Sequence, residues 1–373
     1  MRIEKYNASR LKEFLDSDQY SSMPFVPVSK HRAQSWIQNP RLKAEDIIMY
    51  LAFEGEDMVA YRCILPDHHR DIRFGWLSGN WVRPDQRRRG LASRLFEEAF
   101  TDWGHQLMYT NYAPESKAVY DKSNRFELYK ERPGIRYYQR SSFSRLLGNR
   151  SIVYQRSRPL LSLADGVLNT FQDIRIRIKK ETLADLKIEE SNSPDYIAVD
   201  FMEKSMAAGF SIRTQEDFDW ITSYPWVIES PNADKSYFFS SVSPRFRNIC
   251  IKIRNSEGDM TGFLWMVING VKMTIPYIAL NQLSEMKKVS SIEAETREAN
   301  EAFSRILNYY LQSNRIFYMT SYQSHVINNF QPGPLLGTRK MTQNYFATRD
   351  LLKQLPDPQS IQFQDGDGDV VFV

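Results

Sequence analysis

The chain is short of cysteine, of long apolar runs and of net charge, and each shortage removes a class of protein. Only two cysteines occur in 373 residues, Cys63 and Cys250, far apart and each inside an apolar, strand-like run. They suit buried small hydrophobes better than a disulfide framework or metal ligands, and no metal is expected. No uncharged apolar run approaches the roughly 18 residues of a membrane span, and Met1-Arg2-Ile3-Glu4-Lys5-Tyr6 has no apolar signal core. Secretion and an integral membrane segment are therefore not expected, which leaves the cytoplasm as the default. A net charge of +4 does not indicate a nucleic-acid partner, which calls for a basic face or stripe.

What is present is globular: 42% hydrophobic and 25% charged residues, in a length suited to two domains. Strand-like alternation covers Ile47 to Phe53, Met58 to Leu65 and Ile72 to Val82, with a polar break expected at Asp67-His68-His69. A helix is expected from Leu91 to Trp103, a strand from Gln106 to Tyr112, a helix from Ser116 to Lys122, and strands at Phe126 to Tyr129 and Ile135 to Arg140. The fold class is mixed α/β, an α+β sheet flanked by helices.

The second half echoes the first. Glu257 to Phe263 repeats the pattern of Gly55 to Tyr61, Trp220-Ile221 before Pro225 mirrors Trp36-Ile37 before Pro40, and Ser304-Arg305-Ile306-Leu307 before Tyr318 to Tyr322 matches Ser93-Arg94-Leu95-Phe96 before Met108 to Tyr112. Their shared order indicates duplication. The expected division is 1–140, a linker 141–184 with a helix over 158–172, and 185–373, giving a monomer with an internal pseudo-dimer. The linker has a basic stretch from Arg145 to Arg158 and apolar helical spacing at Leu160, Leu161, Leu163, Val167, Leu168 and Phe171. It reads as a helix packed on one or both domains, with a membrane-surface helix as the sharper alternative that Asp165 and Asp173 weaken.

The most informative stretch is Trp81-Val82-Arg83-Pro84-Asp85-Gln86-Arg87-Arg88-Arg89-Gly90-Leu91-Ala92-Ser93: a strand end, an arginine-rich turn with a glycine, and a helix start. Unpaired N–H groups at the positive end of a helix dipole bind anions, and Gly90 lets backbone approach closely. The order Arg87-x-x-Gly90-x-Ala92 resembles the acyl-CoA pyrophosphate loop of the GNAT superfamily of N-acetyltransferases. No such pattern occurs in the second half, where Asn281 to Ser291 is polar and lacks glycine. Two GNAT-like domains in tandem are thus expected, each with a mostly antiparallel central sheet, the second degenerate.

The resemblance implies acetyl-CoA as acyl donor and direct attack by a primary amine. It implies pyrophosphate binding by backbone N–H groups of Arg88, Arg89, Gly90, Leu91 and Ala92 at the turn leading into Ser93, with Arg87 or Arg89 holding charge. The thioester carbonyl would lie near Trp81 or Val82, the latter also pairing with pantetheine. Tyr120 falls where the family often has the acid for the departing thiolate, although packing against Phe126 suits it nearly as well. Relatives often carry a glutamate where this chain has Ser78 and Gly79, and an asparagine near Ala113, where the nearest is Asn111. Glu54, Asp67, His68, His69 and Asp71 are the candidate bases. Trp220, Tyr224, Trp226, Tyr237, Phe238 and Phe239 are either core or an acceptor wall built by the second domain. Alternatives are an acyl-CoA-binding regulatory module without turnover, and an acyl or aminoacyl transferase acting on cell-wall or glycan precursors.

Overall fold

The computed structural model describes residues 1–110, 114–147, 152–206, 208–280 and 289–372. Asn111, Tyr112 and Ala113, part of the basic stretch (148–151) and most of the Asn281 to Ser291 segment (281–288) lie outside the described residues. In chain order the strands are β1 (Arg2–Tyr6), β2 (Met49–Glu54), β3 (Asp57–His69), β4 (Ile72–Val82), β5 (Leu107–Thr110), β6 (Phe126–Tyr138), β7 (Ile188–Ser191), β8 (Ile228–Glu229), β9 (Val242–Ser243), β10 (Phe246–Arg254), β11 (Met260–Asn269), β12 (Lys272–Leu280), β13 (Tyr318–Ser321) and β14 (Gly337–Thr348).

The chain forms two compact units, each assembled from separate stretches: Met1–Arg132, Ser193–Phe246 and Gln343–Val373 in unit 1, and Pro133–Asn192 and Arg247–Thr342 in unit 2. Unit 1 has the strand order β1-β2-β3-β4-β5-β14, and unit 2 the order β7-β10-β11-β12-β13-β6. The pairs β1·β2, β2·β3, β3·β4, β5·β14, β7·β10, β11·β12 and β13·β6 are antiparallel, whereas β4·β5 and β12·β13 are parallel. Each sheet buries one face under a long helix whose apolar residues recur at helical spacing. In unit 1 the helix Leu91–Asp102 buries Leu91, Leu95, Phe96, Ala99 and Phe100. Its unit 2 counterpart, Val289–Ser313, contributes Phe303, Ile306, Leu307 and Leu311 to that unit's core.

The structure corrects four sequence expectations. The polar break at Asp67-His68-His69 is absent, because β3 runs through it with Asp67 and His69 buried. Phe126 to Tyr129 and Ile135 to Arg140 are joined in one strand, β6, carried past Pro133-Gly134. The linker helix is longer, Arg158–Ile178, and it buries Asp165, Gln172 and Ile176 while much of its leucine-rich face stays exposed. Trp220, Trp226 and Tyr237 sit in unit 1, so any wall built from 193–246 belongs to the unit that carries the arginine turn.

Candidate active site

The turn between β4 and the helix Leu91–Asp102 is shaped by two left-handed residues, Arg88 at φ 65° and Gly90 at φ 80°. Gly90 is the helix N-cap, and no side chain caps the first turn. The backbone N–H groups there have no partner within the helix and lie at its positive end. A Cβ built on Gly90 would meet nothing within 4 Å, so the space before this turn is open. Arg87, Arg88 and Arg89 are exposed around it. Arg89 is drawn toward Gln86 and lies 3.3 Å from Glu54, and Arg87 Nε donates to Val82 O at 3.3 Å. An anionic diphosphate fits this arrangement: uncapped donors, exposed cations and no steric block.

Next to the turn, the sheet opens. Among the described residues β4 pairs with β5 only at Gly75↔Leu107 and Trp76↔Met108, where Gly75 is required because a Cβ would collide with Ile64. Beyond Trp76 the rest of β4 has no register partner on that side among the described residues. The β3·β4 ladder also shifts between Arg62↔Asn80 and Ile64↔Leu77, leaving Ser78 and Gly79 opposite Cys63. A bulge of this kind re-aims backbone amides. It falls two to four residues before Trp81 and Val82, the positions expected from sequence.

On the helix-covered face of this opening lies a polar cluster in an otherwise apolar core. Arg62, fully buried on β3, donates through Nη1 to Tyr120 Oη at 3.0 Å, and through Nη2 to Asn80 Oδ1 and Ala92 O, each at 3.3 Å. Tyr120 packs against Phe96, Tyr109 and Phe126. Both readings of Tyr120 are therefore present in the geometry. It is a core ring, and its oxygen already accepts from a guanidinium, which frees its own proton to be donated elsewhere. Sequence reasoning missed Arg62; its signal was a single cation inside the apolar run Met58 to Leu65.

The opposite face carries a second cluster. Buried Arg32 stacks over Trp226, its guanidinium carbon 3.8 Å from the ring centroid, and donates to Ser78 Oγ at 3.1 Å. Ser78 in turn donates to Asp369 Oδ2 at 2.8 Å. The bulge position without the expected glutamate thus holds a carboxylate delivered from 291 residues away. Around it, Phe25 and Tyr61 stack on Trp81, and the phenol oxygens of Tyr61 and Tyr237 are buried without a hydrogen-bond partner among the described residues. Asp369 was missed because no local pattern marks it.

Other sequence candidates have structural work. Asp67 is buried with Arg41, Trp76 Nε1 at 2.7 Å and Ser211 Oγ at 3.3 Å. Burial pushes its pKa up, but Arg41, Arg213 and its hydrogen bonds outweigh that and hold it at about 2, too low for a base near neutrality. His69 Nδ1 is bound to Phe210 O at 2.8 Å, and burial lowers the pKa of half-buried His68. Glu54 and Asp71 are exposed, the former beside Arg89. Trp220 and Trp226 are core residues whose indole N–H groups bond to Ser35, whereas Phe238 is exposed and Phe239 half-buried.

Among the described residues no group of ligating side chains fit for a metal ion occurs, and no helix is long and apolar enough to cross a membrane. No curated protein matches the chain. Solved structures do match its fold. Saccharomyces cerevisiae N-myristoyltransferase with bound myristoyl-CoA and inhibitors is 10% identical, with a TM-score of 0.51, over 93% of this chain and 79% of that one. The same yeast enzyme with bound myristoyl-CoA aligns at 10% identity and a TM-score of 0.50, over 93% and 82%. A probable N-acyltransferase from Enterococcus faecalis is 12% identical with a TM-score of 0.48, over 95% and 74%. The family model described as the acetyltransferase (GNAT) family matches residues 12–124, the segment that holds the arginine turn, the opened strand β4 and Tyr120. Unit 1 therefore carries a domain of the GNAT acyltransferase family.

Proposed function

We propose that the protein is an acyl-CoA-dependent N-acyltransferase, with acetyl-CoA as donor and a primary amine as acceptor, working through unit 1 alone. The carrying observation is that the uncapped Gly90 turn adjoins a splayed, bulged β4 with an acid candidate on one face and a base candidate on the other. The turn Arg87 to Ser93 holds the diphosphate, and Val82 and Trp81 line the path toward the sheet opening. Asp369, oriented by Ser78, takes a proton from the acceptor's ammonium group. The free amine attacks the thioester carbonyl, and backbone N–H groups of the bulge stabilise the oxyanion that forms. When the C–S bond breaks, Tyr120 gives its proton to the departing thiolate while Arg62 stays bonded to the phenol oxygen, and the second proton lost from the nitrogen as the amide forms restores the phenol. The products are an amide and free CoA. The halves 1–140 and 185–373 are read as two copies of one ancestral domain, the second supplying Asp369 and otherwise serving as scaffold.

The test is calorimetric titration of the full chain with acetyl-CoA and myristoyl-CoA, followed by thiol release with a panel of primary amines. Binding of acetyl-CoA and transfer to at least one amine is the expected result. Tight binding without transfer favours the regulatory module; preference for the long chain replaces acetyl with a fatty acyl donor. Activity confined to amino sugars or glycan-linked amines favours the precursor-modifying alternative.

A further inference from the structure

The helix Arg158–Ile178 in unit 2 leaves a row of large apolar side chains in water. Leu160, Leu163, Val167, Phe171, Ile174 and Ile178 are between 51% and 77% exposed. Their spacing of three or four residues confines them to an arc of about 80° at 100° per residue, along roughly 27 Å of helix at 1.5 Å rise. A contiguous apolar stripe of this length marks a binding surface.

The charges around the stripe identify its partner. The helix has two carboxylates, and both are turned away and engaged. Asp165 is buried, accepting from Phe143 N at 2.8 Å and from the N–H and hydroxyl of Ser144 at 2.9 and 2.7 Å. Asp173 pairs with Arg140 and, at 3.3 Å, with Arg315. The exposed charges at its two ends are cationic: Arg156 and Arg158 before the stripe, Arg177, Lys179 and Lys180 after it. A second copy of the chain would bring these cations against their like. An anionic bilayer surface satisfies both features, taking the apolar side chains to the depth of the acyl boundary and the cations among its headgroups.

We infer that this helix docks the protein in-plane on anionic membranes, independently of the transferase reading. The experiment is co-sedimentation of the full chain with phosphatidylcholine vesicles, with and without phosphatidylglycerol. Binding is expected only with the anionic lipid and should be released by salt. Leu163→Glu with Phe171→Glu should weaken it at least tenfold, about as charge reversal at Arg177 and Lys179 should, since each cation near the surface is worth about fivefold. These positions are exposed, so circular dichroism should be unchanged; if the first pair unfolds, Leu160→Gln with Ile178→Gln replaces it. Failure to sediment with anionic vesicles, equal sedimentation with neutral ones, or indifference to the apolar substitutions overturns the inference. A dimer in sedimentation velocity that the same substitutions dissociate would assign the stripe to self-association instead.

Discussion

The β3·β4 ladder of unit 1 and the β11·β12 ladder of unit 2 are built alike, yet filled differently. Each has a register shift, and each leads to a strand pair that is parallel for only a few residues, Gly75–Trp76 with β5 and Lys272–Thr274 with β13. On the helix-covered face, unit 1 sets Arg62 opposite Asn80, whereas unit 2 sets Leu264 opposite Ile278. At the bulge, unit 1 has Ser78 tied to Asp369, whereas in unit 2 the shift leaves Ile275 and Pro276 opposite Met266. One backbone defect serves two ends: held open by polar residues it is a candidate site, and filled with apolar ones it is core.

The largest effect that separates the units is expected at the turn only one of them is known to have. Arg89→Glu with Gly90→Asp puts charge and bulk at the proposed diphosphate site, and acetyl-CoA affinity should fall about a hundredfold or more by calorimetry; unchanged affinity would remove the site from unit 1. Asp369→Asn comes next. Turnover should drop about 10²–10⁴-fold with donor affinity kept. A full rate would return Asp369 to a structural role.

Converting unit 1's polar pair to unit 2's apolar one, by Arg62→Leu with Asn80→Ile, sharpens the contrast. Replacing a buried ionic cluster with hydrocarbon is often neutral or stabilising, so the melting temperature should hold while turnover falls about tenfold or more. Tyr120→Phe should lose about tenfold in turnover without weakening donor binding; an unaltered rate leaves it a packing residue. The smallest effect concerns Asp367, buried with Oδ1 unpartnered among the described residues. Burial outweighs Arg213 and Arg132 and pushes its pKa from 3.8 to about 7. Its folded pKa is above its unfolded one, so the stability it contributes is present at low pH and lost as pH rises through that window. Asp367→Asn should flatten that decline in thermal melts recorded across it.

What sequence made legible was local. The arginine turn, its glycine and the helix behind it occupy fewer than two dozen consecutive residues and are fixed by short-range rules of backbone conformation and amphipathic spacing. Tyr120 could be located but not assigned, since a ring that packs and a phenol that donates obey the same pattern. Arg62 needed knowledge of what covers β3, and Asp369 needed a contact across nearly the whole chain. His68 and His69 looked like a polar break because periodicity cannot distinguish a solvated turn from a strand buried on both faces. The discontinuous units were illegible for the same reason, since strand order is set by pairing partners and not by position in the chain.

β6 begins in unit 1 and ends in unit 2, while β14 does the reverse. During synthesis, the first 132 residues leave the ribosome carrying the donor turn, but the sixth strand of their sheet and the carboxylate of Asp369 are still untranslated. Unit 1 can reach its final pairing only after unit 2's sequence has been made, which gives folding a high contact order and a late closing step. A nascent or truncated chain would thus carry the proposed grip for CoA without the carboxylate proposed to activate the acceptor.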